Sequence, residues 1–258
     1  MVLGLLRAGA TAAPTLHYTA RLHGLPVLDV TYCLDLTDHA YRSRLQARTL
    51  GLAEFLVHGR VDGRADGAIQ GLALHPQSYI EHGRLSGEDF SLAIDYPAGD
   101  PVIREMAPPA TKYRTAVPTG DLHGAIDGLA AITLEVLVVS RTQACQGVAL
   151  VYDARQLRRL TTRTAGSDIL AASARSVFTG GAVRCDTQSV LLSGLRKDQP
   201  ASVQIRPHAS SAWLAPLSTG GLALPVRFSF GADFLGDITV ELDGVTNAVG
   251  CVSDASLR

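Results

Sequence analysis

Alternation with a period of two runs through the whole chain, and no other feature limits its fold as strongly. In LHYTARLH, Leu16, Tyr18, Ala20 and Leu22 fall on one side, and His17, Thr19, Arg21 and His23 on the other. VTYCLDLT repeats the pattern with Val30, Tyr32, Leu34 and Leu36. YRSRLQAR places Arg42, Arg44 and Arg48 on a polar face. FSLAIDY aligns Phe90, Leu92, Ile94 and Tyr96, VRFSF aligns Val226, Phe228 and Phe230, and DITVEL aligns Ile238, Val240 and Leu242. Successive side chains of a strand point to opposite faces, so these segments predict an antiparallel sheet with one packed and one solvated face. Gly24-Leu25-Pro26 reads as a tight connection between the first two strands. No βαβ rhythm and no glycine-rich phosphate loop is present.

Two stretches break the alternation. Residues 97–120 carry Pro97, Pro101, Pro108, Pro109 and Pro118, which excludes a continuous helix or a central strand and leaves a linker or an ordered connection over a cavity mouth. The segment that follows has Ile126, Leu129, Ile132 or Thr133, and Val136 at helical spacing, with Thr119 or Asp121 as candidate N-caps. It predicts one helix over about 121–139, whose β-branched end could equally be strand. A further short helix is expected from Gly51. The expected organisation is one β-rich domain over 14–248, with a polar tail over 249–258.

At 258 residues the chain can bury a large core. A formal net charge of −1 gives no global pull toward nucleic acid or anionic lipid. All but two of the 23 basic residues are arginine, which reads as codon bias. Residues 1–13, MVLGLLRAGATAA, resemble the remnant of a signal peptide: Val2–Leu6 is apolar and Ala10-Thr11-Ala12 has a small-x-small form, although Arg7 interrupts the run. The start at Met1 is therefore expected to truncate an export signal. No stretch reaches the about 18 uncharged apolar residues of a membrane span, and the most apolar segment contains Asp127 and Glu135. The mature chain is expected to be soluble.

Catalytic motifs are missing. There is no C-x-x-C, no zinc-finger spacing, no G-x-S-x-G elbow and no H-E-x-x-H. His17 and His23 share a strand face but lie about 20 Å apart, too far for one ion, and read as solvated surface. Cys33 falls on the polar face of its strand and Cys251 in the tail, and their state is left open. Cys145, in CQGVALVYDARQLRRL, has no motif partner that would make it a nucleophile or a ligand. In an exported chain a Cys145–Cys185 disulfide is one of three pairings that spacing alone does not separate. No catalytic, cofactor or metal residue is assigned. The apolar strand faces read first as core, but a curved sheet capped by a helix can enclose a pocket lined by residues such as Trp213, Phe228 and Phe230, suited to a lipid-like ligand.

Laid out in this way, residues 15–245 resemble the exported bacterial family of domain of unknown function 3108 (DUF3108). LHYTARLHGLPVLDVTY is similar to its opening strand pair, and Leu74, Pro76 and Tyr79 to its Leu-x-Pro-x-x-Tyr element. CQGVALVYDARQLRRL is similar to its Cys-x-Gly-x-x-x-x-x-Asp-Gly-Arg-x-x-Tyr region, followed some forty residues later by a second cysteine, here Cys185. Ala154 stands where the family has glycine, and Leu157 near the expected aromatic. The resemblance implies a mainly β (α+β) half-barrel, a curved antiparallel sheet around one or two helices, related in architecture to lipoprotein carriers. It implies a non-enzymatic periplasmic protein whose partner is a lipid or a lipoprotein acyl chain. Two alternatives are an envelope scaffold that binds a protein partner through the arginine face or the proline-rich connection, and a hydrolase with an unrecognised site.

Overall fold

Each alternating segment is a strand in the computed structural model, which describes residues 13–51, 53–54, 58–232, 236–247 and 251. In chain order these are β1 (Pro14–Leu22), β2 (Leu25–Leu36), β3 (Ala40–Thr49), β4 (Gly59–Gln70), β5 (Ala73–Leu85), β6 (Glu88–Asp95) and β7 (Val102–Ala107). After helix α1 (Gly128–Thr142) come β8 (Gln146–Tyr152), β9 (Leu157–Leu170) and β10 (Gly180–Ser193). A helical turn, α2 (Ala201–Gln204), precedes β11 (His208–Pro216), β12 (Ala223–Ala232) and β13 (Gly236–Asn247). The short helix expected from Gly51 and the signal-like residues 1–12 lie largely outside the described residues.

The 13 strands form one sheet in the order β7-β6-β5-β4-β3-β2-β1-β13-β12-β11-β10-β9-β8. Every neighbouring pair is antiparallel, so the sheet is two meanders, β1–β7 and β8–β13, joined where β1 pairs with β13. β7 and β8 are edges that do not pair with each other, so the barrel stays open along one seam. Local chemistry fits this plan. The β1–β2 connection is the two-residue turn His23-Gly24, both with positive φ (50° and 82°), the geometry that matches the twist of a hairpin. Ser86-Gly87 repeats it between β5 and β6. Register shifts in the β1–β13, β4–β5, β9–β10 and β11–β12 pairs add the local bends that curl so wide a sheet.

The chain leaves edge β7, crosses the interior as α1, and returns at edge β8. The helix starts at Gly128, not near residue 121. Residues 119–122 are instead a 3-10 turn, and the N-cap is Asp127, whose carboxylate accepts from the Ala130 backbone N–H at 2.8 Å. The helical spacing was there, but the cap nearest the apolar run prevails. Ile126 bonds to both Leu150 and Tyr152 of β8, fixing the start of the helix. At the other end, Arg141 donates to the carbonyl of Gly71, and Ser140 accepts from the backbone N–H of Ala223 on β12.

The proline-rich connection is ordered and contains edge strand β7. Lys197 N–H donates to the Tyr113 carbonyl, Thr115 N–H to the Leu195 carbonyl, and Arg114 to the Gly194 carbonyl. These bonds tie the connection to the β10–α2 loop beside the open seam. It does not cover a cavity mouth, since no residue of 97–120 borders the cavity described below. Among the described residues no helix is long and apolar enough to cross a membrane.

Candidate functional site

Helix α1 is apolar almost all the way round, and its two long faces meet different surroundings. Leu129, Thr133, Val136 and Leu137 are buried toward β3, β4 and β5. There the inner face of β4 is Gly63, Ala65, Gly67 and Ile69, small enough for the helix to rest on it: a Cβ added at Gly63 would lie 3.8 Å from Leu129 Cδ1. Tyr41, Leu92, Ile94 and Tyr96 complete a solid core. The other face, Gly128, Ala131, Ile132, Glu135, Val138 and Val139, borders a cavity of about 850 Å³.

The cavity lies between this face and the inner side of β8–β13, β1 and β2. Its deep wall includes Tyr18, Tyr32, Ala212 and Pro225. Tyr18 is held by a 2.7 Å hydrogen bond from its hydroxyl to the Pro225 carbonyl and meets Phe228 edge-on, with ring centroids 6.3 Å apart. Small residues, Ala149, Thr162, Thr187, Ser189 and Ser210, pave the β8–β11 side, where Thr162 and Thr187 hydrogen-bond each other at 2.9 Å. Exposed Leu72, Val148 and Phe230 mark the opening. No arginine or lysine is among the described lining residues.

The sequence-predicted lining residues divide. Phe228 and Phe230 border the cavity. Trp213 does not. It follows Ala212 in β11 and so turns to the outer face, where its indole N–H donates to Asp168 at 2.7 Å and its ring lies under the guanidinium groups of Arg184 and Arg227. Aromatic content suggested a pocket residue, but strand alternation puts its neighbour there instead.

Cys145 is bonded to Cys185, with Cα atoms 5.5 Å apart. The bridge spans β9 and ties the start of edge strand β8 to β10, at the cavity wall. Cys33, on the outer face of β2, is bonded to Cys251. Both are buried with Ala13, so Cys251 is not part of a free tail and Cys33 is not solvated. Residues 252–258 lie outside the described residues. Two of the three arginines of the predicted face are neutralised in place: Arg44 binds Asp62 through two bonds of 3.0 and 2.6 Å, and Arg48 binds Asp29 at 2.8 Å, while Arg42 is exposed. His17 bonds to Thr246, and His23 sits in its turn.

Two carboxyl groups on α1 were read in the sequence only as breaks in an apolar run. Burial pushes Asp127 up to about 6, against the pull of the Ala130 N–H and the Tyr96 hydroxyl. Burial alone pushes Glu135 up to about 7, and its Oε1 is shielded without any hydrogen-bond partner. The signal that could have found Glu135 is a single acid within an otherwise apolar helix.

No protein-family model matches the chain, and no curated protein matches it. Among solved structures it is similar to a β-barrel-like protein of domain of unknown function DUF1849 from Brucella abortus. The TM-score is 0.51 at 8% identity, over 92% of this chain and 98% of that one. At that identity the likeness shows the fold alone, an antiparallel, barrel-like sheet.

Proposed function

We propose that this chain is a non-enzymatic envelope protein of the DUF3108 type that holds an apolar, lipid-like ligand between α1 and the inner sheet face. The carrying observation is the cavity. At about 850 Å³ it falls within the roughly 300–1,000 Å³ of small-molecule sites, and its wall is mainly aliphatic and aromatic. A folded interior is ordinarily close-packed, with few voids larger than a water molecule. An unfilled apolar space of this size is therefore a structure for holding something. Two disulfides support export to an oxidising compartment, with the periplasm as the reading for a bacterial protein. Arg44 and Arg48 of the outer face are held by Asp62 and Asp29, which weakens the scaffold reading.

The test is native mass spectrometry, with lipid extraction, of the protein exported to and purified from a bacterial periplasm. The expected result is a co-purified apolar molecule released on unfolding. A chain of bare polypeptide mass, together with an experimental structure in which side chains fill the space, would overturn the reading.

A further inference from the structure

The cavity wall contains one feature that an empty or purely apolar site does not explain. Glu135 Oε1 is shielded from solvent and accepts no hydrogen bond, although it stands on the cavity-facing stripe of α1 beside Ala131, Ile132, Val138 and Val139. Leaving a buried carboxyl without a partner is costly, and any apolar residue of like size would fit the stripe. Among its described residues the rest of the wall carries no permanent positive charge to neutralise an anion. Its described residues include no arginine or lysine, and the other titratable groups facing the space are Tyr18 on β1, Tyr32 on β2 and His208 on β11. Burial pushes both tyrosine hydroxyls up, so they stay neutral. A fatty acid or phosphate head group would place a second negative charge beside Glu135. A cationic donor head group would instead pair with the carboxylate from its cavity side.

We propose that the occupant is an amphiphile with a cationic amine head group, and that Glu135 is its counter-ion inside the cavity. This rests on the cavity being a ligand site. The aliphatic chain lies along Phe228, Val240 and Leu160, with the amine turned toward α1. A charge-assisted bond in so apolar a setting is stronger than a neutral one, and it selects head groups by sign.

The test is displacement of the neutral dye diphenylhexatriene from the full chain by decylamine, decanol and decanoate, which share a chain length and differ in head group. In the wild-type protein near pH 8, decylamine should compete at least about ten-fold better than decanoate, with decanol between them. Glu135→Gln should bring amine and acid within about two-fold of each other, whereas His208→Gln should keep the preference. Equal competition by amine and acid in the wild type would overturn the counter-ion role while leaving the cavity standing. So would a preference that survives Glu135→Gln. If the dye does not bind, or no competitor displaces it, the ligand-site reading fails and this one with it.

Discussion

Under β4 the inner face of the sheet reads Gly63, Ala65, Gly67 and Ile69; under β8 to β11 the cavity wall includes Ala149, Thr162, Thr187, Ser189, Ser210 and Ala212 beside Val151 and Leu160. Both are rich in small residues, yet one lies beneath a solid core and the other beneath a void. The difference lies in what stands opposite. On the β3–β6 side, α1 sits directly on the small residues, and Tyr41, Tyr79 and Tyr96 fill the gaps around it. On the β8–β12 side the same helix also touches β8, β11 and β12, but Ala131, Ile132, Glu135 and Val138 border open space between those contacts. Hollowness here is a property of where one helix is tied, by Ile126 to β8 and by Arg141 to the Gly71 carbonyl, not of strand composition.

The largest expected effects concern the two disulfides. In the hollow half the outer strand β8 is an edge, and the Cys145–Cys185 bridge ties it across β9 to β10. Closing a loop of 40 residues is worth about 4 kcal/mol in the chain-entropy model. Replacing both cysteines by alanine should cost roughly that in a urea titration. Hydrogen exchange should then rise in β8 and β9 well before β3–β5. Replacing Cys33 and Cys251, which close a loop of 218 residues, should lower stability by more, about 5 kcal/mol in the same model, but leave the β8 amides protected, because that bridge sits on the outer face of β2. Equal loosening of both halves by either pair would break the comparison.

Next in size is Glu135. Its folded pKa of about 7 lies above the ordinary 4.5, so the folded state binds the proton more tightly than the unfolded one. Stability is then fullest below about pH 4.5 and falls as pH rises toward 7, where the buried carboxylate must ionise. Asp127, raised from 3.8 to about 6, acts in the same direction. Glu135→Gln should leave stability unchanged near pH 4 and raise it by up to about 3 kcal/mol near pH 8. A thermal melt series across that range would show it, and a gain independent of pH would contradict the assignment. A residue that lowers the stability of the empty protein fits a role in binding rather than in folding.

The same apolar insertion should then have opposite results in the two halves. Ala65→Leu pushes three extra carbons into the packed layer under α1 and should cost about 1–3 kcal/mol. Ala212→Leu adds them to the cavity wall, where there is room, and should be neutral or slightly stabilising while weakening dye binding. If both substitutions destabilise equally, the void is not there in solution.

The contrast between the halves also marks what could be read in advance. Inward faces were legible strand by strand: Leu16, Tyr18, Tyr32, Leu34, Leu92, Ile94 and Leu242 are all buried where alternation puts them. The curved antiparallel sheet with a helix across it follows from the same alternation together with the family resemblance. The cavity does not, because Phe228 beside a void and Ile94 in a core have the same local pattern. Trp213 shows the limit from the other side, since its size outweighed its parity. The Cys33–Cys251 bond was equally illegible, as it depends on the last strand lying next to the first, a closure 218 residues apart in sequence.

The smallest expected effect lies in the turn that leads from β8 into β9. Asp153 Oδ1 accepts from the backbone N–H groups of Arg155 and Gln156, at 2.9 and 2.7 Å, which places Ala154 at φ 63°, where the resembling family has glycine. The left-handed conformation costs a side-chain-bearing residue about 1 kcal/mol. Ala154→Gly would recover that, but it would also lose a buried methyl worth about 0.8 kcal/mol and add freedom to the unfolded chain. The two sides nearly cancel, so stability should change by less than about 0.5 kcal/mol. The Asp153 hydrogen bonds, not the residue at 154, then hold this corner of the hollow half. Asp153→Ala should accordingly cost more than Ala154→Gly in the same melt, by about 1–2 kcal/mol, since it frees two backbone donors. A reversed order would mean that backbone strain at Ala154 governs the edge of the cavity.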